Sequence, residues 1–353
     1  MSRKKVAVAM SGGVDSSLTA AILIDKGFEV EGVTMRLEDN ETDSKSCCSQ
    51  NELKDALAVA NYLGIFHHVV DFRAIFETEI ENYFVAEYLR GRTPNPCVKC
   101  NKKIKFGKLF DFAKEIGADF LATGHYARIV FENDRFKLKK AVDLKKDQSY
   151  VLYNLTAEKL SQIIFPLGEL SKTETRALAE KMNLPVAKKP DSQEICFVPD
   201  NDYKKFLASR AKNSDALQAG DIVDGSGKIL GNHSGVANYT IGQRKGLGIA
   251  APHPLYVQKL DIASKKVVVG RNEELFSSSL TAENVHWIYK PKNFPAKLQA
   301  KVRYGTKIFD AQVEEENNFV RVKFFEPVRA VTAGQSVVFY DGDELLGGGI
   351  ISE

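Results

Sequence analysis

The chain has 353 residues, 44% hydrophobic and 27% charged, with 21 Phe, 12 Tyr and a net charge of +3. This composition excludes a mainly disordered protein, and the length predicts two or three domains. No apolar run reaches the roughly 18 residues of a membrane span, and the apolar stretch within Met1–Met10 is too short for a secretory signal, so a cytoplasmic protein is expected. Near-balanced charge does not announce a nucleic-acid binder; only local patches would make one. The five cysteines, Cys47, Cys48, Cys97, Cys100 and Cys196, are an odd and sparse set. They argue against a disulfide framework and for reduced thiols used in metal or sulfur chemistry.

In chain order, Val6–Met10 is continuously apolar, as a strand buried on both faces should be. A glycine turn follows, then a helix over Asp15–Lys26 closed by Gly27. The pattern predicts strands at Val30–Met35, Phe66–Val70 and Phe120–Thr123, with helices at Glu52–Leu63, Ala74–Leu89 and Phe106–Ile116. Alternation at this spacing implies a doubly wound parallel sheet. Arg128–Lys140 reads as a hairpin, and Ser171–Glu174 is a capping box opening a helix through Lys181. After about residue 205 the pattern becomes short alternating runs between glycine turns: Val267–Val269, Lys301–Tyr304, Phe319–Val322, and Val337–Tyr340 ahead of Asp341-Gly342. The predicted class is α/β followed by β: a doubly wound parallel sheet over 1–205, a central β-rich domain over 206–277 and a barrel-like β domain over 278–353.

Ser11-Gly12-Gly13-Val14-Asp15-Ser16-Ser17 joins the first strand to the first helix. Two glycines let backbone N–H groups turn toward an anion, and the helix start adds partial positive charge. The serines add hydroxyl donors. Asp15 is unusual in a pure anion site and points to a held Mg²⁺ or substrate group. The Walker lysine is absent.

Gly91–Asn101 holds two prolines, a glycine and the pair Cys97, Cys100, and is expected to be an ordered loop. Lys99, Lys102, Lys103, Lys105 and Lys108 surround it with no acid between them. Nearby positive charge favours thiolate over thiol, although such a run also suits an ordinary solvated face. Cys47-Cys48 is a poor metal clamp and reads as incidental. His67 and His68 read as structural. Asn238–Gly248 reads equally as a surface loop or an RNA clamp.

Taken together, five blocks in order resemble the tRNA-specific 2-thiouridylase family of PP-loop ATP pyrophosphatases, over essentially the whole chain. They are SGGVDS, the GRTPNP…CN-x-x-IKF block ending at Phe106, Thr123-Gly124-His125-Tyr126, Lys146–Tyr150 and Asp191–Phe197. The resemblance implies that Ala9, Met10, Ser11, Gly12, Gly13, Val14, Asp15 and Ser16, with Met35 and Gly124, bind ATP, which acts with Mg²⁺. It implies that Cys100 is the nucleophile and that Cys196 carries a persulfide. Asn95, Pro96 and Cys97 would meet the target base, and His125, Lys146, Asp147, Gln148, Arg303, Tyr304 and Gln335 the tRNA. The implied reaction adenylates C2 of wobble uridine 34 and then delivers sulfur, releasing AMP and pyrophosphate. Cys100 either frees the sulfur, closing a Cys100–Cys196 disulfide, or supports its transfer. Implied partners are tRNAs for Glu, Gln and Lys and a cysteine desulfurase or relay protein; a monomer is the default.

Many members carry Asp where this chain has Cys97. Cys97, Cys100 and Cys196 therefore also suit three ligands of a [4Fe–4S] cluster or part of a zinc site. Two rival functions stand beside this one. A small-molecule PP-loop synthetase would turn over without RNA or thiols. A non-catalytic RNA-binding or iron–sulfur carrier would release no pyrophosphate, and it has no need of the SGGVDS loop.

Overall fold

The computed structural model describes residues 3–38, 50–191, 195–317 and 319–352. Cys47, Cys48 and the 192–194 part of the last motif lie outside the described residues. Strands β1 (Lys5–Ala9), β2 (Glu29–Arg36), β3 (Phe66–Asp71) and β4 (Phe120–Ala122) precede a hairpin, β5 (Ala127–Glu132) and β6 (Arg135–Lys140), and a short β7 (Ile163–Ile164). Five of these form an all-parallel sheet ordered β3-β2-β1-β4-β7. Val6 and Val8 pack with the helices Val14–Asp25 and Gln50–Leu63 on one face, while Ala7 packs with Leu109, Phe110 and Ala113 on the other. Both faces are covered, which is why β1 reads as an unbroken apolar run. Strand order reverses between β1 and β4, and the crevice beyond their carboxyl ends is where such sheets bind ligands.

Strands β8 (Gly220–Val223), β9 (Ile229–His233), β10 (Tyr256–Asp261) and β11 (Lys266–Gly270) form a separate sheet. The Asn238–Gly248 segment packs Tyr239 and Leu247 into that sheet's core. Strands β12 (Phe276–Trp287), β13 (Ala296–Lys301), β14 (Phe309–Glu316), β15 (Phe319–Arg329), β16 (Ser336–Asp341) and β17 (Glu344–Ile351) close into a six-stranded antiparallel barrel, since β12 pairs with both β15 and β17. Arg303 and Tyr304, expected in a strand, lie in the turn after β13.

Two contacts tie the parts together. The β5–β6 hairpin joins the barrel sheet through Lys139 opposite Glu344. Residues 92–93 are clamped from the barrel side: Thr93 N–H donates to Ala333 O (2.9 Å), Gln335 Nε2 to Thr93 O (2.8 Å) and Arg92 Nη2 to Glu283 Oε1 (2.9 Å).

The segment expected to be a loop as far as Asn101 turns into helix at Pro96. Asn95 Oδ1 accepts from the N–H groups of Cys97 (3.1 Å) and Val98 (3.4 Å), capping a helix Pro96–Cys100. Proline at the first helical position costs no hydrogen bond, so it starts this helix.

Candidate active site

The phosphate loop sits at the reversal of strand order. Ser11 N–H donates to Ser16 Oγ (3.2 Å), Ser17 Oγ donates to Gly13 O (2.8 Å), and Gly12 adopts φ +72°. Gly13 begins the helix Val14–Asp25 without a capping side chain, so no side chain competes with an anion for the first-turn amides. Gly124 follows β4 and closes on this loop. A Cβ there would lie 2.9 Å from the Asp15 carbonyl carbon and 3.0 Å from Ser16 N.

A cavity of about 310 Å³ brings together Ala9, Met10, Ser11, Asp15, Ser16, Met35 and Gly124 with Cys97, Cys100 and Cys196. His125, Gln148 and Lys105 also line it. Cys97 is exposed, Cys100 buried and Cys196 half-buried. A neighbouring cavity of about 760 Å³ shares the loop and Cys97 and extends to Asn95, Tyr304 and Lys146. Pro96 lines the smaller cavity; Arg303 and Gln335 line neither.

Among the expected tRNA contacts, Tyr304 is 40% exposed and faces the larger cavity. Asp147 and Gln335 are instead placed in the interior. Asp147 accepts from the N–H groups of Ala141 (3.0 Å) and Ser149 (3.2 Å), and Gln335 holds Thr93. Gln148 Oε1 accepts from Tyr126 N–H (2.9 Å), and Arg303 Nη2 donates to Thr332 Oγ1 (3.3 Å). Within the lysine run, Lys99 and Lys103 lie 3.7 and 3.6 Å from Glu79, whereas Lys105 lines both cavities. The charge facing the thiols is Lys105 rather than the whole run.

His125 is 7% exposed and pairs through Nδ1 with Thr123 Oγ1 (2.6 Å). Burial, and then the charge of Lys105, hold its imidazole well below the ordinary histidine range. It is therefore neutral at physiological pH. As pH falls below the usual imidazole value of about 6.5, the unfolded chain takes up a proton that folded His125 refuses, so stability falls in this window. His67 and His233 shift in the same direction. Thermal unfolding followed from about pH 7 to pH 5 should show a shallower loss for His125→Asn than for the parent; equal slopes would remove His125 from this account.

Sequence reasoning missed a basic group beside the loop. Lys172 Nζ bridges Asp15 (2.7 and 2.9 Å) and Asp191 (2.9 Å). Asp191 also accepts from Arg176 (2.6 Å) and Lys146 (3.2 Å), and Lys189 Nζ donates to Gly12 O (3.1 Å) and Asp55 (2.6 Å). The capping box at Ser171 signalled a helix start, but no local pattern places its first residue against a loop some 157 positions earlier.

Among the described residues, no three His, Cys, Asp or Glu side chains form a group able to hold a metal ion. Cys97, Cys100 and Cys196 line one cavity. The hard carboxylate oxygens of Asp15, at the phosphate loop, suit Mg²⁺. Among the described residues, no helix is long and apolar enough to cross a membrane.

The reversed-order parallel sheet with a serine–glycine loop at its switch point defines an α/β nucleotide-binding protein of HUP type. Family profiles match in three parts: a tRNA methyl transferase HUP domain over residues 4–200, a tRNA methyl transferase PRC-barrel domain over 204–271 and an aminomethyltransferase beta-barrel domain over 277–351. The chain belongs to the tRNA-specific 2-thiouridylase family. Proteins named tRNA-specific 2-thiouridylase MnmA from Carboxydothermus hydrogenoformans and Acetivibrio thermocellus are each 50% identical to it, over 99% of this chain and 98% and 100% of their own lengths. One from Thermoanaerobacter sp. is 51% identical over 98% of this chain and 97% of its own.

Proposed function

We propose that this protein is a tRNA 2-thiouridylase, in which residues 1–205 perform the chemistry and 206–277 and 278–353 help to hold the tRNA. The observation that carries this reading is the single cavity lined by the phosphate loop and by Cys97, Cys100 and Cys196. ATP-driven sulfur transfer needs both. The family descriptions speak of methyl transfer, a reaction that does not need ATP cleaved at a phosphate loop.

The loop, Met35 and Gly124 hold ATP with its α-phosphate toward the thiol side. Mg²⁺, held with the help of Asp15, neutralises phosphate charge when bound. Uridine O2 attacks the α-phosphorus and pyrophosphate leaves, converting O2 into part of a good leaving group. The terminal sulfur of a Cys196 persulfide then adds to C2, and AMP departs with O2. Cys100 then attacks Sγ of Cys196, closing a Cys100–Cys196 disulfide and releasing the terminal sulfur on C2 as 2-thiouridine; if Cys100 attacks the persulfide first, the same disulfide forms and the freed hydrosulfide adds to C2 as AMP departs. Lys105 favours the thiolate forms. Asn95 and Pro96 set the helix that places Cys97 beside the target base, and Tyr304 and Lys146 meet the RNA around it. His125, Asp147, Gln148, Arg303 and Gln335 act from behind as supports for the tRNA-facing surface. The persulfide is loaded by a cysteine desulfurase or a relay protein, in the cytoplasm, onto a monomer. Substrates are tRNAs for Glu, Gln and Lys.

Pyrophosphate release from ATP is expected to require unmodified tRNA with uridine 34 and to vanish when that base is changed to cytidine. Release without RNA would establish a small-molecule synthetase instead, and no release with any RNA would leave a carrier.

A further inference from the structure

Five lysines and three carboxylates line the larger cavity beside the phosphate loop. An acid in such a place repels a polyphosphate, yet Asp191 draws three cations onto one carboxylate: Lys172 (2.9 Å), Arg176 (2.6 Å) and Lys146 (3.2 Å). Burial raises its proton affinity, but the hydrogen bonds from Lys172 and Lys146 outweigh this and hold its carboxyl below the usual carboxylate range. The pair is well sheltered on the cation side, where the Lys172 side chain is 12% exposed, and Lys172 also reaches Asp15 on the loop itself. Lys172 thus stands within reach of both the loop and a resident anion, while Arg176, which lines neither cavity, braces that anion from behind.

Resting on the adenylation reading above, we propose that Lys172 holds the pyrophosphate portion of ATP at the loop, and that Asp191 is a built-in counter-anion. Asp191 yields Lys172 when polyphosphate enters and competes for it again once the bond to the α-phosphate has broken. A cation fixed beside a multiply charged leaving group would otherwise help to retain it. A carboxylate tethered in the same chain competes at high effective concentration and speeds its departure. Asp191 is a positioning residue here; Lys172 is the ligand-binding group.

The test is calorimetric titration of the full-length protein with inorganic pyrophosphate, without ATP or RNA. Asp191→Asn should bind pyrophosphate about tenfold more tightly than the parent, and Lys172→Met about tenfold more weakly. A purely structural role for Asp191 would weaken binding or leave it alone. Thermal unfolding of each variant verifies folding, and Asp191→Ser serves as a second variant if Asn does not fold. Binding by the Asp191 variants no tighter than that of the parent overturns the counter-anion, and unchanged binding by Lys172→Met overturns the cation site. Titration with tRNA in parallel separates the phosphate sources: tightening toward tRNA alone would assign Lys172 to the RNA backbone and overturn the proposal. Because no RNA enters the main titration, failure of uridine-dependent pyrophosphate release in the parent protein would refute adenylation without deciding this result.

Discussion

Cys100→Ser and Cys196→Ser should each lower 2-thiouridine formation by at least about a thousandfold while leaving tRNA-dependent pyrophosphate release largely intact. The two halves of the reaction draw on different groups around one cavity. On the proposed mechanism adenylation uses the loop Ser11–Ser16, which is held by its own serines and by Lys172. Sulfur transfer needs a group that ionises near neutral pH and bonds to a second sulfur, and a serine hydroxyl does neither. Cys100 is 9% exposed and packs among apolar residues that include Phe76 and Phe84. Serine is close to it in size but buries a hydroxyl among apolar neighbours, so Cys100→Ser should cost about 1–3 kcal/mol of stability and still fold. Mass spectrometry of digested tRNA measures the thiolated base. Normal thiolation by either variant would remove that cysteine from the mechanism, and loss of pyrophosphate release would mean that the thiols belong to the adenylation step as well.

Gly12→Ala is expected to lose ATP turnover by about a hundredfold or more and to destabilise the fold by about 1–3 kcal/mol. Gly12 has φ +72°, and a Cβ at that position overlaps the Glu52 carbonyl oxygen at the start of the neighbouring helix. Backbone must move, and it is the backbone that forms the phosphate cradle and receives Lys189 at Gly12 O. The adjacent glycine provides the contrast. Gly13 has φ −94°, and the nearest atom to its Cβ position is Ser11 Oγ at 3.6 Å, so Gly13→Ala should cost less than about 1 kcal/mol. Thermal unfolding and pyrophosphate release on both variants decide the matter. Equal losses would show that the cradle needs small residues rather than one particular backbone turn.

Local signals exposed most of the α/β half. The apolar run of β1, the glycines on either side of the first helix and the capping box at Ser171 each report a neighbourhood of a few residues, and each appears where the sequence put it. Pro96 was misread because proline marks both a loop and a helix start, and the Asn95 cap decides between them. Arg303 and Tyr304 continue an alternating pattern past the point where the chain turns. The β5–β6 hairpin was legible, but its attachment to β17 was not, since pairing between distant segments leaves no periodicity behind. For the same reason the convergence of Lys172, Arg176 and Lys146 on Asp191 was hidden. It is a property of space, and each residue alone resembles an ordinary surface charge.

The clamp on residues 92–93 bears on how the protein comes into being. During translation the thiol-bearing helix emerges early, yet Thr93 is tied to Ala333 and Gln335, and Arg92 reaches Ile351 O (3.4 Å) in the strand that closes the barrel. Contacts so distant in sequence form late. A nascent chain would therefore carry its cysteines without this frame until residue 351 has cleared the ribosome.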